Sequence, residues 1–280
     1  MSEIIREKRL ISLNSDNATQ YLNGTRMLSN MSFDFRNILI PDPSILYIEG
    51  GVQSAQIPAS FYAITATNNT FNYTVNTIAY NIQVTPGNYN YNTLVTAMTT
   101  AFTVNGHTFT FVLNRASNIL TMTLSSGTWN NILPSSIGVV LGFSPATTYT
   151  IVANTITYPN LFDVMGPKKL KIFSSNMAID SYDSINNSTT NLIETISINV
   201  PGFSLILYQN IDGTYGHLRT HYLSTVDIQI TDENNNPIDF NGVGWTITIV
   251  LILYKRLTIQ SVDMPQLTNE LPAEDVVTKG

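Results

Sequence analysis

Three histidines, a few carboxylates and one short lysine cluster are the groups in this sequence that could move protons or hold a ligand. His217 and His221 stand four apart, a spacing that on a helix would set both imidazoles on one face as metal ligands. Gly213 and Gly216 precede them, Thr and Tyr flank them, and no Glu follows His217, so a loop or strand edge is expected instead. His107 sits beside Gly106 in an expected turn. Asp232, Asn234 and Asn236 imitate the opening of a calcium loop. Its sixth position is Pro237 where Gly is needed, and its twelfth is Val243 where Glu is needed, so a hairpin turn is expected. Gly166-Pro167-Lys168-Lys169 lacks the glycine spacing and the Lys-Ser/Thr ending of a phosphate loop, and Pro167 removes a backbone donor. Lys168, Lys169 and Lys171 are read as a strand start with a basic face, able at most to touch nucleic acid or an acidic neighbour weakly. Asp180 and Asp183 fall among Ser181, Tyr182, Ser184 and Asn186-Asn187-Ser188, an expected exposed loop with nothing to split two carboxyl pKa values.

No Gly-X-Ser-X-Gly elbow is present, and there is no cysteine to serve as nucleophile, metal ligand or disulfide. With so few proton-moving groups the chain reads as a non-enzyme, with no catalytic, cofactor-binding or metal-ligating residue assigned and no cofactor expected.

The elements that would position any such groups are short β runs. Phe71-Asn72-Tyr73-Thr74-Val75, Phe109-Thr110-Phe111, Leu120-Thr121-Met122-Thr123-Leu124, Ile196-Ser197-Ile198-Asn199-Val200 and Val226-Asp227-Ile228-Gln229-Ile230 alternate apolar and polar residues. That period of two puts one side chain in three-dimensional register with the core and the next in water. Thr246 to Tyr254 becomes apolar on both faces, which suits a central strand. Turn clusters at Pro86-Gly87-Asn88, 114–118, Asp212-Gly213 and 233–237 separate the runs, the pattern of a sandwich or barrel. One helix is expected over 92–102, with Leu94, Val95, Met98 and Phe102 on a stripe and Asn90 or Asn92 as cap; a second, short one is expected within 130–140. The aromatics fall mostly inside the alternating runs, where core packing accounts for them.

The chain has 280 residues, 43% of them hydrophobic, enough for a substantial core. Its formal charge of −6 gives no strong pull toward nucleic acid or anionic membrane. From Gly50 to Phe162 there is no Asp, Glu or Lys, and Arg115 carries the only formal charge. Free-standing surfaces usually carry about 25–35% charged residues. An uncharged polar surface has no repulsion to oppose close docking, so this span reads as one to be covered by neighbours; drift in an AT-rich genome is the other explanation, incomplete because lysine, also AT-coded, is scarce. MSEIIREKRL at the start has no apolar run of signal-peptide length. The longest apolar run, Trp245 to Tyr254, is about half the ~20 residues of a membrane helix, so no membrane span is expected.

The order of motifs resembles the penton (vertex) and minor capsid proteins of virophages, Polinton-like viruses and related large double-stranded DNA viruses. The first block is Ile48-Glu49-Gly50-Gly51, Ile57-Pro58-Ala59-Ser60-Phe61-Tyr62 and Asn69-Thr70-Phe71, then Val84-Thr85-Pro86-Gly87-Asn88-Tyr89, closing at Leu141-Gly142-Phe143. The second runs from Leu170-Lys171-Ile172-Phe173 through Ile196-Ser197-Ile198 to Asp232-Glu233, Ile238-Asp239-Phe240-Asn241-Gly242 and Trp245. The resemblance implies an all-β fold, a single jelly-roll β-sandwich with one or two short inserted helices. It implies a structural subunit of the virion capsid, forming homopentamers at icosahedral vertices, contacting the major capsid protein and other minor capsid proteins, and assembled inside the infected host cell. No specific nucleic acid is expected as a partner. A viral fibre or lectin-like receptor- or glycan-binding protein, and a minor cement protein, are the alternative roles for the same fold. The expected domains are an N-terminal arm (1–32), a jelly-roll capsid domain (33–256) in which 85–143 is either part of the roll or an inserted helix-containing subdomain, and a flexible C-terminal tail (257–280) bearing Pro265, Pro272 and several acids. Arg6, Lys8 and Arg9 on the arm are the expected assembly contacts.

Overall fold

The computed structural model describes residues 4–39, 42–177, 181–183, 188–218 and 222–256; for 36–39, 181–183 and 188–190 the backbone alone is described. The expected tail at 257–280 lies outside the described residues, as do Asp180 and His221. In chain order, β1 (Ile4–Asn14), β2 (Gln20–Tyr21), β3 (Asn30–Leu39) and β4 (Ile45–Pro58) come first. Then follow β5 (Thr70–Val75), β6 (Ile78–Gln83), α1 (Tyr91–Val104), β7 (Phe109–Asn114), β8 (Ile119–Leu124), β9 (Trp129–Ile132), α2 (Gly138–Leu141), β10 (Tyr149–Thr150) and β11 (Thr155–Thr157). The chain continues through β12 (Lys169–Phe173), β13 (Ser181–Asp183), β14 (Ser188–Thr190), β15 (Leu192–Ser197), β16 (Leu205–Gln209), β17 (Gly216–His217), β18 (Leu223–Thr231) and β19 (Thr246–Arg256).

The strand pairings nest. β1 pairs with β19, β3 with β18, β4 with β16 and β12 with β15, all antiparallel. That is one long hairpin, folded between β12 and β15. Rolling it up adds β19 against β4 and β12 against β18. The result is two sheets, β1-β19-β4-β16 with β17 also on β4, and β15-β12-β18-β3-β2. Nested pairing of this kind across two packed sheets is a single jelly roll, in agreement with the expected all-β class. Its core follows from the alternation: Val226, Ile228 and Ile230 of β18 are buried, while Thr225, Asp227 and Gln229 between them are not. Each such burial contributes roughly 1.5–3 kcal/mol. β19 lies between β1 and β4, and Ile249 to Leu253 are buried without interruption.

Of residues 1–32, expected as an arm, the described part from Ile4 onward is corrected by this topology. Ile4 to Asn14 pair residue for residue with Arg256 to Thr246, so they form the first strand of the roll, and β3 has already begun at Asn30. The 3₁₀ turn Ser15–Asn17 after β1 is fastened by two bonds, Ser15 N–H to the Trp245 carbonyl (3.0 Å) and Trp245 N–H to Ser15 Oγ (2.8 Å).

A second body is inserted between β4 and β12, wider than the expected 85–143. Its core runs from Ile64 to Phe162 and is separate from that of the roll. The boundary is set by long-range packing, in which residues near both ends of the span join one cluster. Two small sheets, β10-β9-β5-β6 and β11-β8-β7, enclose it with α1. Leu94, Met98 and Phe102 form the buried stripe of α1, and Asn90 with Thr93 forms a capping box at its start. The helix expected within 130–140 is mostly absent: Trp129–Ile132 is strand β9 and only Gly138–Leu141 is helical. Pro134 in the middle of that span would break a helix.

Candidate assembly surfaces

The two sheets of the roll present different outer faces. On β19 the core takes Ile247, Ile249, Leu251 and Leu253, so Val250, Ile252 and Tyr254 belong to the other side. Register extends that outer face to Arg6, Lys8 and Leu10 of β1 and to Tyr47, Glu49 and Gly51 of β4. A ladder of rings crosses one end: the Arg6 guanidinium lies 6.0 Å over Tyr254, Tyr254 stacks on Tyr47 at 4.2 Å, and Tyr47 meets the His217 ring edge-on at 5.3 Å. The Tyr254 hydroxyl donates to Glu49 (2.9 Å), a bond that raises the phenol pKa. Further along, Tyr215 lies against Gly51, 3.2 Å from where a Cβ would stand, and donates to Gln53 Oε1 (2.8 Å), which also accepts from Lys8 (3.1 Å). Val250 and Ile252 are covered, Ser12, Thr246 and Gln56 are polar, and the exposed apolar residues of this face are Leu10 (60%) on β1 and Leu205 (48%) and Leu207 (69%) on β16, with Phe203 (72%) and Ile211 (89%) flanking β16. Exposed apolar side chains gathered along β16 in this way mark interaction surface.

The opposite sheet faces outward with Asn30, Ser32 and Asp34 of β3, Lys169 and Lys171 of β12, and Thr225, Asp227 and Gln229 of β18, a polar set. Asp227 is structural. Its Oδ1 accepts from the Ser174 hydroxyl (3.0 Å) and Asn176 N–H (2.8 Å), and its Oδ2 from the Ser175 N–H (2.9 Å) and hydroxyl (2.6 Å). Burial alone would raise its pKa; these four donors outweigh burial and hold it below the usual carboxylate range.

The inserted body carries a third surface. Thr110, Thr123 and Thr155 stand in one row across β7, β8 and β11, and Val112, Thr121 and Thr157 in the next. Thr121 bonds Thr157 (3.0 Å) and Thr123 bonds Thr155 (3.1 Å) across the strands, giving an uncharged threonine face. At one end of the same body, His107 lies edge-on to Tyr80 at 4.5 Å with its Nδ1 2.9 Å from the Tyr73 hydroxyl, and burial lowers its pKa.

The residues singled out in the sequence do not converge. His217 pairs with Glu49 on β17 at an exposed sheet edge. Asp232 caps its own turn, accepting N–H bonds from Asn234 and Asn236 (both 2.8 Å) and the Asn236 amide (2.9 Å), so its carboxylate is committed to the hairpin. Lys168 pairs with Asp163 (2.7 Å), Lys171 donates to Asn235 (3.1 Å), and Lys169 opens β12 with its side chain exposed. Asp183 is on β13 opposite Ser188. Arg6, Lys8 and Arg9 all lie on β1, the first two on the outer face and Arg9 paired with Glu7 (2.7 Å). Among the described residues no three His, Asp or Glu side chains are grouped as a metal site, and no helix is long and apolar enough to cross a membrane. The exposed stripe of β16 and the Asp227 clamp were not singled out from sequence; the first shows only as the short apolar run Leu205-Ile206-Leu207, and the second has no local signal.

Compared with known proteins, the sequence matches no family model and no curated protein. Twenty chains of solved structures match. Among them is the mavirus penton protein, in a crystal structure of the selenomethionine-labelled form, with a TM-score of 0.45 and 13% identity over 91% of this chain and 100% of that one.

Proposed function

We propose that this chain is a structural subunit of a virus capsid, a penton-type protein that closes into a pentameric ring and abuts the major capsid protein, and that it runs no reaction. The observation that carries this reading is the exposed apolar strip along β16, Phe203, Leu205 and Leu207, on one outer face of the jelly roll, whereas the opposite sheet turns polar residues outward. An inserted body almost without charge adds to it. Exposed apolar surface of this kind gains stability when covered. The motif order of the sequence supports the penton assignment within that class. Head-to-tail contacts between unlike surfaces form a ring when the rotation per subunit closes. Each contact can be modest, because ring and shell hold neighbours at high effective concentration.

Mass photometry of the purified chain tests the reading. Particles at the pentamer mass of 31.0 kDa chains are expected. A protein that stays at 31.0 kDa at tens of micromolar, and that binds defined glycans on an array, would instead be a lectin-like fibre module.

A further inference from the structure

Both outer edges of the β1-β19-β4-β16 sheet lack a strand partner among the described residues. The phase of each edge is readable. The Ser204 carbonyl accepts from Ala59 N–H (2.8 Å) and Asn210 N–H donates to the Gln53 carbonyl (2.9 Å), in register with Leu205 opposite Pro58 and Gln209 opposite Ser54. Even-numbered residues of β16 therefore bond to β4, and the N–H and C=O groups of Leu205, Leu207 and Gln209 point away from it. On β1 the Ser15–Trp245 bond and the register set odd-numbered residues toward β19, so Arg6, Lys8, Leu10 and Ser12 turn their backbone groups to the open side.

We infer that the β16 edge of one copy receives the β1 edge of a second copy, extending the sheet from subunit to subunit. This rests on the ring proposed above and assigns its contact. The two edges run in opposite directions, because only β19 and β4 lie between them and every pairing is antiparallel, so the junction is antiparallel. At both edges the residues offering backbone groups carry their side chains on the outer face, so the pleat continues and the outer faces join. Placing Leu207 opposite Leu10 sets Leu205 opposite Ser12 and Gln209 opposite Lys8. Charge favours the unlike pairing. β1 turns Arg6 and Lys8 to its open side and so disfavours another β1 there, whereas the open side of β16, Leu205 to Gln209, has no charge.

The absence of cysteine makes the contact directly testable. In the full chain, Leu207→Cys is combined in turn with Lys8→Cys, Leu10→Cys and Ser12→Cys, then oxidised. Facing residues of an antiparallel pair fall within disulfide reach. One combination is expected to give a non-reducing ladder in steps of 31.0 kDa, with Leu207→Cys alone giving none. Equal cross-linking by Leu207→Cys alone would mean like edges pair and would overturn the inference. Leu207 is 69% exposed and its N–H faces outward, so Leu207→Lys should keep the circular-dichroism spectrum of the folded roll while reducing the assembled mass to 31.0 kDa. Oligomers of wild type that survive Leu207→Lys and yield no ladder sink the edge contact and leave the ring standing. A monomeric wild type sinks both.

Discussion

Replacing Asp227 by Ala should destabilise the roll by about 2–4 kcal/mol. The carboxylate accepts four hydrogen bonds from Ser174, Ser175 and Asn176, which fasten the turn after β12 to β18 and set Met177 into the core. Hydrogen bonds to a charged group contribute about 1.5–3 kcal/mol each, so a simple sum would overshoot. Ser175 and Asn176 are exposed and regain water, whereas Ser174 is fully buried and does not, which brings the loss to the lower range. For a body of this size that corresponds to a melting shift of roughly 5–15 °C. Asp227→Asn should lose nearly as much, since its amide can face only one pair of donors. The sign with pH follows from the lowered pKa of Asp227, for which burial works upward and the four donors more strongly downward. The folded pKa lies below the unfolded value of about 3.9, so the stabilisation is present above that value and is lost as pH falls through the folded one. Melting followed by circular dichroism from pH 7 to pH 2 checks both points. A wild-type Tm in Asp227→Asn, or a gap that does not narrow below about pH 4, would refute the reasoning.

The chain has two tryptophans, and Trp129 lies in the core of the inserted body while Trp245 lies in that of the roll, so fluorescence of single-tryptophan variants reads the two separately. Phe102→Ala should cost about 3–5 kcal/mol and lower the Trp129 transition, because its ring is fully buried against Phe71, Tyr73 and Phe109; an equal drop in the Trp245 transition would contradict two separate cores. From Gly50 to Phe162 the one group that titrates between pH 5 and 8 is His107, and burial lowers its folded pKa. The unfolded chain, with a value of about 6.5, takes the proton first, so stability is full above that pH and falls as pH drops toward the folded value. The Trp129 transition should therefore soften in mild acid, and His107→Gln should abolish that slope; a slope retained in the variant would place its source elsewhere.

The strands that bury one face were legible wherever the alternation was long enough, as in Phe71-Tyr73-Val75 and Val226-Ile228-Ile230, because period two is a local property. β1 was not. Its first seven residues are exposed or partly so, and only Ile11 and Leu13 are buried, so its identity as a strand comes from eleven partners on β19 far along the chain. The extent of the inserted body was hidden for a similar reason: Ile64 and Phe162 share a core that no local window contains. Alternation also leaves open which face is inside. Leu205-Ile206-Leu207 reads as two buried leucines around an exposed isoleucine as easily as the reverse, and only the position of β16 beside β4 settles that Ile206 is the buried one. The Asp227 clamp joins residues some fifty positions apart, beyond any motif.

The distribution of charge separates what would hold such an assembly from what would align it. Lys255 joins Glu7 (2.6 Å) and Asp42 (3.5 Å) at one end of the roll, and Lys168 joins Asp163 (2.7 Å) and, through its N–H, Glu233 (3.1 Å) where the inserted body returns to the roll. Charges reappear at that junction, the first after the long neutral span, and tie the two bodies. The threonine face and the β16 stripe carry none. Contacts made through those faces would draw their free energy from apolar burial and hydrogen bonds, which salt screens little, whereas Arg6 and Lys8 lie within a Debye length of solvent and are screened. On the proposed reading the few cations of β1 therefore choose the partner edge and its register, and the neutral faces supply the affinity.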